Sequence, residues 1–383
     1  MSNAPRSYIP IKQHSGLYQL NIVSIQYLRA FAAILVVFHH ARYQVTEFQV
    51  FYDQGVWLFG QAGVDIFFVI SGFIMWVTTS GRPMSPGRFI QNRIIRIVPM
   101  YWIVTLAVAI AVLLMPSLFR AAEATPEHVV KSLLFIPHFD PGAPGRIWPL
   151  LIPGWTLNYE MFFYGVFAAA MFLPRRLIIP AVAALLASIS LAGHILTFED
   201  PVLSFFSESI IMEFAAGMLL GQIYLQGRLA PPVWLSGLSI AAGLVMMVVL
   251  TPWETAETRL LVWGVPALLT VAGFLALEVK GMIGRNAILT LLGDASYSIY
   301  LTHILTLGVV RTGWRKLDLV QQDLATACVY MVSAIVISVA VGIVCHFLCE
   351  APIHRLAKRL TAGSGRSTDV GPVGAMMGGS RQR

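Results

Sequence analysis

The sequence predicts an all-α integral membrane protein that crosses the bilayer about ten times, with both termini in the cytoplasm. Hydrophobic residues make up 57% of the 383-residue chain and charged residues only 12%, whereas soluble domains carry about a quarter charged residues. Apolar stretches long enough to cross ~30 Å of hydrocarbon as helices recur along the chain. A bilayer solvates outward apolar faces, and a helix satisfies its own backbone polar groups there.

Ten apolar stretches are predicted as membrane-spanning helices, separated by breaks that contain Pro and charged residues. They lie near residues 22–41, 56–79, 95–116, 155–173, 177–195, 203–225, 232–251, 260–278, 287–310 and 325–349. The longest connection is the Pro-rich segment 117–154, which is predicted to lie outside.

Positive charges orient these helices. With ten spans, the termini and the loops on their side carry 17 Lys and Arg residues, against 8 in the opposite loops. Since cytoplasmic loops gather Lys and Arg, both termini are predicted inside. The same rule explains the net charge of +7 without a nucleic-acid partner. We predict a cytoplasmic segment 1–20, a transmembrane domain 21–355 and a disordered cytoplasmic tail 356–383.

Several sequence features that would indicate other classes are missing. The first twenty residues are mixed and polar and do not resemble a signal peptide, so the first span is expected to serve as its own insertion signal. Cys328, Cys345 and Cys349 all lie in the last apolar stretch and are predicted to be free packing residues. No zinc motif, phosphate-binding glycine loop or serine nucleophile elbow occurs, and neither a metal nor a permanently bound cofactor is predicted.

Ionisable residues inside the predicted helices are the candidates for function, because a charge in hydrocarbon is costly. Arg29 and His40 of the first helix are eleven positions apart, which places them within ~20° of one face and ~16 Å apart along the axis. The alternatives are that Arg29 reaches the lipid headgroups and that His40 is an ordinary interfacial residue. The neighbouring His39 points to another face.

Arg93 and Arg96 lie one turn apart at the cytoplasmic entrance to the third helix. Paired guanidinium groups bind phosphates bidentately, so this pair is a candidate phosphate site. The alternative is ordinary anchoring by positive charge on the cytoplasmic side.

Other polar residues also fall at membrane depth, namely Asp65, Glu160, Glu208, Glu213, Asp294, His303 and Glu350. Glu160 and Tyr164 share a helix face, as do Tyr300 and His303. Each carboxylate needs a partner, and Arg29 or a histidine of the bundle is expected to supply it.

Not all of these carboxylates are expected to act in chemistry. Glu208, Glu213 and Glu350 are predicted to form structural pairs between helices. A histidine beside a carboxylate suits general-base activation of a hydroxyl and needs no metal.

Five ordered segments carry a resemblance to a known family. They are IQYLRAFAAILVVFHHA, GVDIFFVISGFIM, NRIIRIVPMYW, WTLNYEMFFY and GDASYSIYLTHI. Their order and spacing over residues 21–355 resemble the membrane-bound acyltransferase-three family. Gln26, Tyr27 and Ala30 stand where the family usually has Asp, Gly and Gly, a variant that resembles its exopolysaccharide-production acetyltransferase branch.

The resemblance implies ten helices in a bacterial inner membrane and transfer of an acyl group to a hydroxyl of an envelope or exported polysaccharide, or of its lipid-linked precursor. The donor is an acyl-CoA, usually acetyl-CoA. By the same resemblance, His40 is the catalytic base, Arg29 and Glu160 occupy motif positions, and Arg93 and Arg96 form the basic pair that meets the donor.

In the expected mechanism, neutral His40 takes the proton of a sugar hydroxyl as it attacks the thioester carbonyl. Glu160 or Asp65 orients the imidazole, and Arg29 or a tyrosine hydroxyl stabilises the oxyanion. Direct transfer and an acyl-histidine intermediate both remain open.

The acyl-CoA is expected to bind from the cytoplasm and to thread its pantetheine arm through the bundle toward an acceptor on the outer side. Trp155, Tyr164, Tyr300 and His303 are the residues expected to contact substrates. A transporter or flippase for a glycan or small metabolite, and a non-catalytic subunit of a polysaccharide-export complex, are the alternatives. The acyl group, the acceptor sugar and its hydroxyl, and the oligomeric state, for which a homodimer is considered, are left open.

Overall fold

A computed structural model of the protein describes residues 22–44, 55–81, 84–115, 123–320 and 323–363. The predicted cytoplasmic segment 1–20 and the tail beyond residue 363 lie outside the described residues. Within them the chain is helical and has no β-strand, apart from one isolated bridge between Phe139 and Ile147. The all-α prediction is confirmed.

Thirteen α-helices make up most of the described chain. They are α1 (Val23–Gln44), α2 (Ala62–Thr78), α3 (Pro86–Leu114), α4 (Pro126–Leu133), α5 (Trp155–Ala170), α6 (Arg175–Ile195), α7 (Pro201–Phe206), α8 (Met212–Leu225), α9 (Val233–Val249), α10 (Val265–Val279), α11 (Ala287–Lys316), α12 (Leu324–Cys345) and α13 (Ala351–Gly363). Short 3-10 turns cover Gly55–Gln61, Ile152–Gly154, Ser209–Ile211 and Thr251–Trp253. Single π-helical turns cover Leu260–Gly264 and His346–Glu350.

Seven helical segments among the described residues are long and apolar enough to cross a membrane. They cover residues 23–43, 57–78, 86–114, 175–195, 260–279, 287–316 and 324–357. The other three predicted spans coincide with shorter apolar helices, namely α5, Ser209–Leu225 and α9. The membrane character of the chain is confirmed, and the count of ten spans stays a prediction.

Helix capping explains where observed boundaries depart from predicted ones. Helix α3 begins at Pro86, well before the predicted start at 95, because the Ser85 side chain accepts the N–H of Arg88 and proline suits the first helical turn. The predicted span 203–225 is broken, with a separate short helix capped by Asp200.

The predicted start of the disordered tail at residue 356 is wrong, because that residue lies inside α13. Apolar residues recur there at helical spacing, at Ile353, Leu356 and Ala357. This pattern supports a helix that continues to Gly363.

Helix α1 lies at the centre of the bundle and packs against α2 and α11, while α2 packs closely against α8. At the α2–α8 crossing, a Cβ on Gly72 would lie 2.1 Å from the Phe214 carbonyl oxygen, and one on Gly217 would lie 2.1 Å from the Val69 carbonyl oxygen. Small residues permit such backbone approach in membrane proteins, where lipid gives no hydrophobic drive for helix association. This crossing fixes the position of α2 beside α1.

The described part of the long connection is packed against the end of the bundle. The Tyr101 hydroxyl donates to the Ser132 carbonyl at 3.0 Å. Nδ1 of His128 lies 2.7 Å from Nε2 of His138. Burial, and then the neighbouring His138, lower the pKa of His128. These contacts hold the segment that precedes α5 against the bundle, and they therefore fix where α5 begins.

We expect Gly72→Ala to lower the free energy of unfolding by about 1–3 kcal/mol, since the new methyl group forces two helix backbones apart. Thermal unfolding of the purified protein in detergent measures this change. The matched control is Gly165→Ala, within α5, where a Cβ meets no atom within 4 Å. Equal melting temperatures for the two variants would contradict the close crossing.

Candidate active site

A cavity of about 610 Å³ lies between α1, α2, α3, α5 and α11, beside the π-turn His346–Glu350. Its size is in the range of small-molecule sites. Ionisable side chains on its wall include the cations Arg29, Arg93 and Arg96 and the carboxylates Glu160, Asp294 and Glu350. Asn92 also lines it and is exposed, so the cavity reaches the surface beside the first turns of α3.

Arg93 and Arg96 lie one turn apart within α3, and both line this cavity. The Arg93 guanidinium carbon lies 5.3 Å from the Phe89 ring centroid and 5.8 Å from that of Tyr164. One of its terminal nitrogens donates to the Thr78 hydroxyl at 3.4 Å. Two aromatic rings thus hold a cation at the cavity wall, a position suited to an anionic ligand.

Arg29 lines the cavity among the helices, on the first turns of α1. That helix begins against Glu278, whose carboxylate accepts the backbone N–H groups of Val23 and Ser24 at 2.7 and 2.8 Å. The Arg29 guanidinium donates a hydrogen bond to the side-chain carbonyl oxygen of Gln26 at 3.3 Å. The Arg29 side chain therefore lies against the cavity between the helices.

Glu160 and Tyr164 lie one turn apart on α5, and both line the cavity. The Tyr164 hydroxyl donates to the Glu160 carboxylate at 2.7 Å, which confirms that the two share a face. The expectation that Arg29 or a histidine would be the hydrogen-bond partner of Glu160 is wrong, because a tyrosine of the same helix takes that place.

His40 lies toward the opposite end of α1 from Arg29. Its Nδ1 is 2.9 Å from the Val36 carbonyl oxygen and 3.3 Å from Nε2 of His303. The ring of His39 meets that of His40 edge-on, with centroids 5.0 Å apart. The structure therefore brings together two predicted site residues, His40 and His303, that are far apart in the sequence.

Tyr300 contacts both the cavity and this histidine pair. Its side chain lines the cavity, and its carbonyl oxygen is 2.6 Å from Nδ1 of His303. The Tyr300 hydroxyl is 2.8 Å from that of Thr156 and 3.0 Å from the Pro153 carbonyl oxygen. His40 and His303 do not themselves line the cavity, and Tyr300 is a lining residue that contacts His303.

Asp65 does not orient His40, which corrects the prediction for that residue. Its carboxylate accepts from Arg259 at 2.9 Å, and both residues are buried, with 0% and 7% of their surfaces exposed. The Arg259 guanidinium carbon also lies 5.8 Å from the ring centroid of Trp155. A buried carboxylate requires a cation, and the nearest one comes from the segment before α10. Trp155, predicted to contact substrate, belongs to this cluster and not to the cavity wall.

Comparison with known proteins identifies the family. The model of an acyltransferase domain, the third acyltransferase family, matches residues 22–343. The chain belongs to this acyltransferase family. It is 39% identical to the exopolysaccharide production protein ExoZ of Rhizobium meliloti (strain 1021), over 81% of the chain and 95% of that relative. It is 24% identical to the acyltransferase MdmB of Streptomyces mycarofaciens, over 89% of the chain and 93% of that relative. No solved structure matches the chain.

Membership confirms the resemblance that the five motifs indicated, and it makes the chain a membrane acyltransferase. Acyl transfer is thereby favoured over the transporter and assembly-subunit alternatives. In this acyltransferase, helices α1, α3, α5 and α11 carry motif residues on the wall of a single cavity.

Sequence reasoning missed a polar cluster at the cavity. The Glu350 carboxylate accepts from the Ser298 hydroxyl at 2.6 Å and lies 2.9 Å from Nδ1 of His346. The predicted pairing of Glu350 between helices is confirmed, but Glu350 and His346 also line the cavity. The available signal was a histidine and a glutamate four positions apart at the end of an apolar stretch. Among the described residues, no group of three or more His, Cys, Asp or Glu is placed to hold a metal ion.

We expect Asp65→Asn to lower the free energy of unfolding by about 3–5 kcal/mol, because it removes the nearer carboxylate from the buried Arg259 and leaves only the long contact with Glu254 at 3.9 Å. The double variant Asp65→Asn with Arg259→Gln should lose less than the sum of the two single variants. Thermal unfolding in detergent measures both, with the exposed Glu199→Gln as the matched control. An unchanged melting temperature for Asp65→Asn together with lost acyl transfer would instead place Asp65 in the reaction.

Proposed function

We propose that this membrane acyltransferase moves an acyl group, acetyl in the simplest case, from acyl-CoA to a hydroxyl of an envelope or exported polysaccharide or of its lipid-linked precursor. One observation carries the proposal: an arginine-lined cavity that reaches the surface is also lined by Tyr300, whose carbonyl oxygen contacts His303 of the pair formed by His40 and His303. The name of the relative ExoZ refers to exopolysaccharide production, and this supports a polysaccharide acceptor.

The charge of the cavity wall supports acyl-CoA as the donor. Coenzyme A carries several phosphate groups at the end of its pantetheine arm, and guanidinium groups bind phosphate by charge-assisted, bidentate hydrogen bonds. Arg93 and Arg96 lie where the cavity reaches the surface, so they would meet the phosphates first. Acyl-CoA is made in the cytoplasm, and the predicted excess of Lys and Arg on this side of the bundle supports a cytoplasmic location for Arg93 and Arg96.

The same proposal includes ten spans in a bacterial inner membrane, with both termini cytoplasmic. The 16-residue α5 is short for a span, since 16 residues rise about 24 Å. Local thinning of the bilayer accommodates such a helix at modest cost. An acceptor on the outer side would then approach the end of α1 that carries His40.

The hydrogen bonds of His40 suit a general base. A carbonyl oxygen only accepts, so the contact with Val36 places the proton of neutral His40 on Nδ1 and leaves the lone pair on Nε2. Nε2 takes the proton of the acceptor hydroxyl as its oxygen attacks the thioester carbonyl carbon. The C–S bond then breaks, and His40 returns the proton to the departing thiolate. The products are the ester and free coenzyme A, and His40 is neutral again.

Distance favours a tyrosine over Arg29 as the oxyanion donor. Arg29 and His40 are ~16 Å apart along one helix, so they cannot serve the same carbonyl group. Tyr300 lines the cavity beside His303, and its hydroxyl would have to turn from the Pro153 carbonyl oxygen, 3.0 Å away, to donate to an oxyanion. Arg29 instead lies where the pantetheine arm would pass, and that arm is long enough to span the separation.

We expect His40→Ala to lower the turnover of acetyl-CoA in nanodiscs with acceptor-rich membrane extract by about 10²–10⁴-fold, because the general base is lost. Binding of acetyl-CoA should remain, since His40 does not line the cavity. Release of the free thiol measures turnover.

The matched control is His194→Ala, at the exposed end of α6, which should retain full activity. Turnover by His40→Ala equal to that of the wild type would keep the enzyme and reject this base. No turnover by any of the three proteins would count against acyl-CoA as the donor.

Arg93→Gln and Arg96→Gln should each weaken acetyl-CoA binding about 10–100-fold, since a hydrogen bond to a charged group contributes about 1.5–3 kcal/mol. Isothermal titration in nanodiscs measures the dissociation constant. A parallel titration with dephospho-acetyl-CoA should show a smaller loss for whichever arginine meets the 3′-phosphate.

The matched control is Arg88→Gln. Arg88 lies on the same helix and the same side of the membrane, but it is exposed and does not line the cavity. Unchanged binding in all three variants would show that the donor's phosphates lie elsewhere.

A further inference from the structure

His303 is buried beside His40, and its surroundings determine its tautomer. It has 0% of its surface exposed. Its Nδ1 lies 2.6 Å from the Tyr300 carbonyl oxygen. Since that oxygen can only accept, Nδ1 carries the proton of the neutral ring, and Nε2 keeps its lone pair.

That lone pair faces His40. Nε2 of His303 is 3.3 Å from Nδ1 of His40, which is also 2.9 Å from the Val36 carbonyl oxygen. Two acceptors thus converge on a single ring nitrogen. Both are satisfied only when Nδ1 of His40 carries a proton that it shares between them, which leaves Nε2 of His40 unprotonated.

From this geometry we infer that His303 is the positioning residue of the active site, one that holds His40 in the tautomer and ring orientation of a general base. The inference rests on the proposed role of His40. Sequence analysis predicted that His303 contacts substrate, but its complete burial behind Tyr300 is at odds with that contact.

The role that His303 takes is more often filled by a carboxylate, which orients a catalytic imidazole through its other nitrogen. Among the described residues, the two predicted carboxylates bond elsewhere, Asp65 to Arg259 and Glu160 to Tyr164. A neutral imidazole acceptor places no second charge in the membrane interior, where an ionised carboxylate without a cation is costly.

The arrangement also connects the base to the cavity. Tyr300 supplies the carbonyl group that fixes His303, and its side chain lines the cavity end. One turn of α11 therefore sets the position of both the wall beside the acyl group and the acceptor behind His40. Positioning groups on a rigid helix hold geometry better than groups on loops.

The test compares His303→Gln with His303→Met, two side chains of similar length. Glutamine offers a carbonyl oxygen near the place of Nε2, whereas the methionine thioether is only a weak acceptor. Loss of the group that orients a metal-bound histidine lowers activity about 10–100-fold, and we expect the same range for this metal-free pair. We expect kcat to fall about 100-fold in His303→Met and less than about tenfold in His303→Gln. KM for acetyl-CoA should stay unchanged in both.

Combination with His40→Ala separates this inference from the proposed function. If His303 acts through His40, His303→Met should cause no further loss in the His40→Ala background. Equal kcat in His303→Gln and His303→Met would overturn the acceptor role while leaving His40 as base. Full activity of His40→Ala would instead reject His40 as the base, the part of the proposed function on which this inference rests, while acyl transfer itself would stand.

A measurement on the wild-type protein covers the case in which neither His303 variant folds. ¹⁵N-histidine labelling and NMR report which ring nitrogen of His40 is protonated, with its signals assigned by their absence in His40→Ala. A proton on Nδ1 is expected. A neutral ring protonated on Nε2 would overturn the inference.

Discussion

A charged side chain inside a membrane is stable only where another polar group or a cavity meets it, and the bundle is organised around this constraint. Asp65 and Arg259 satisfy it by pairing in the protein interior. The arginines on α1 and α3 satisfy it differently, because they line a cavity that reaches the surface. A charge that is fully paired has little left to offer a ligand, whereas charges on a cavity wall remain available. The buried ion pair therefore stabilises the fold, whereas the arginines on the cavity wall can bind a ligand.

The close approach of α2 to its neighbours makes this separation possible. Its Gly72 face packs on α8, while Phe67 and Phe68 of the same helix line the cavity. Asp65 lies nearer the start of the helix and bonds to Arg259. One helix thus contributes a packing face, a cavity wall and a buried ion pair. A shift of α2 would disturb all three features. The close backbone contact at Gly72 and Gly217 limits such a shift.

Contacts within one helix were predictable from the sequence, and contacts between distant segments were not. Helical spacing predicted that Glu160 and Tyr164 share a face, and a hydrogen bond joins them. By contrast, Asp65 and Arg259 are 194 positions apart, and Arg259 falls between the predicted spans 232–251 and 260–278, where nothing in the sequence marks it as a partner of Asp65. The meeting of His40 with His303 across 263 positions was likewise out of reach, although each residue was singled out alone. The helical spacing of residues predicts which face of a helix a side chain lies on. The packing of the helices determines which residue of another helix it contacts.

The two ends of the proposed reaction lie on a single helix, and this has a physical consequence. Arg29 and His40 belong to the same uninterrupted α1, so their separation of ~16 Å is set by the rise of the helix and not by packing between helices. A donor held by its phosphates near the arginines would present its thioester at a distance fixed by its own arm. Small rearrangements of neighbouring helices would change the width of the cavity but not this length. The rigid α1 helix would therefore hold a base at a fixed distance from the arginines, and the flexible arm of the donor would adapt to that distance.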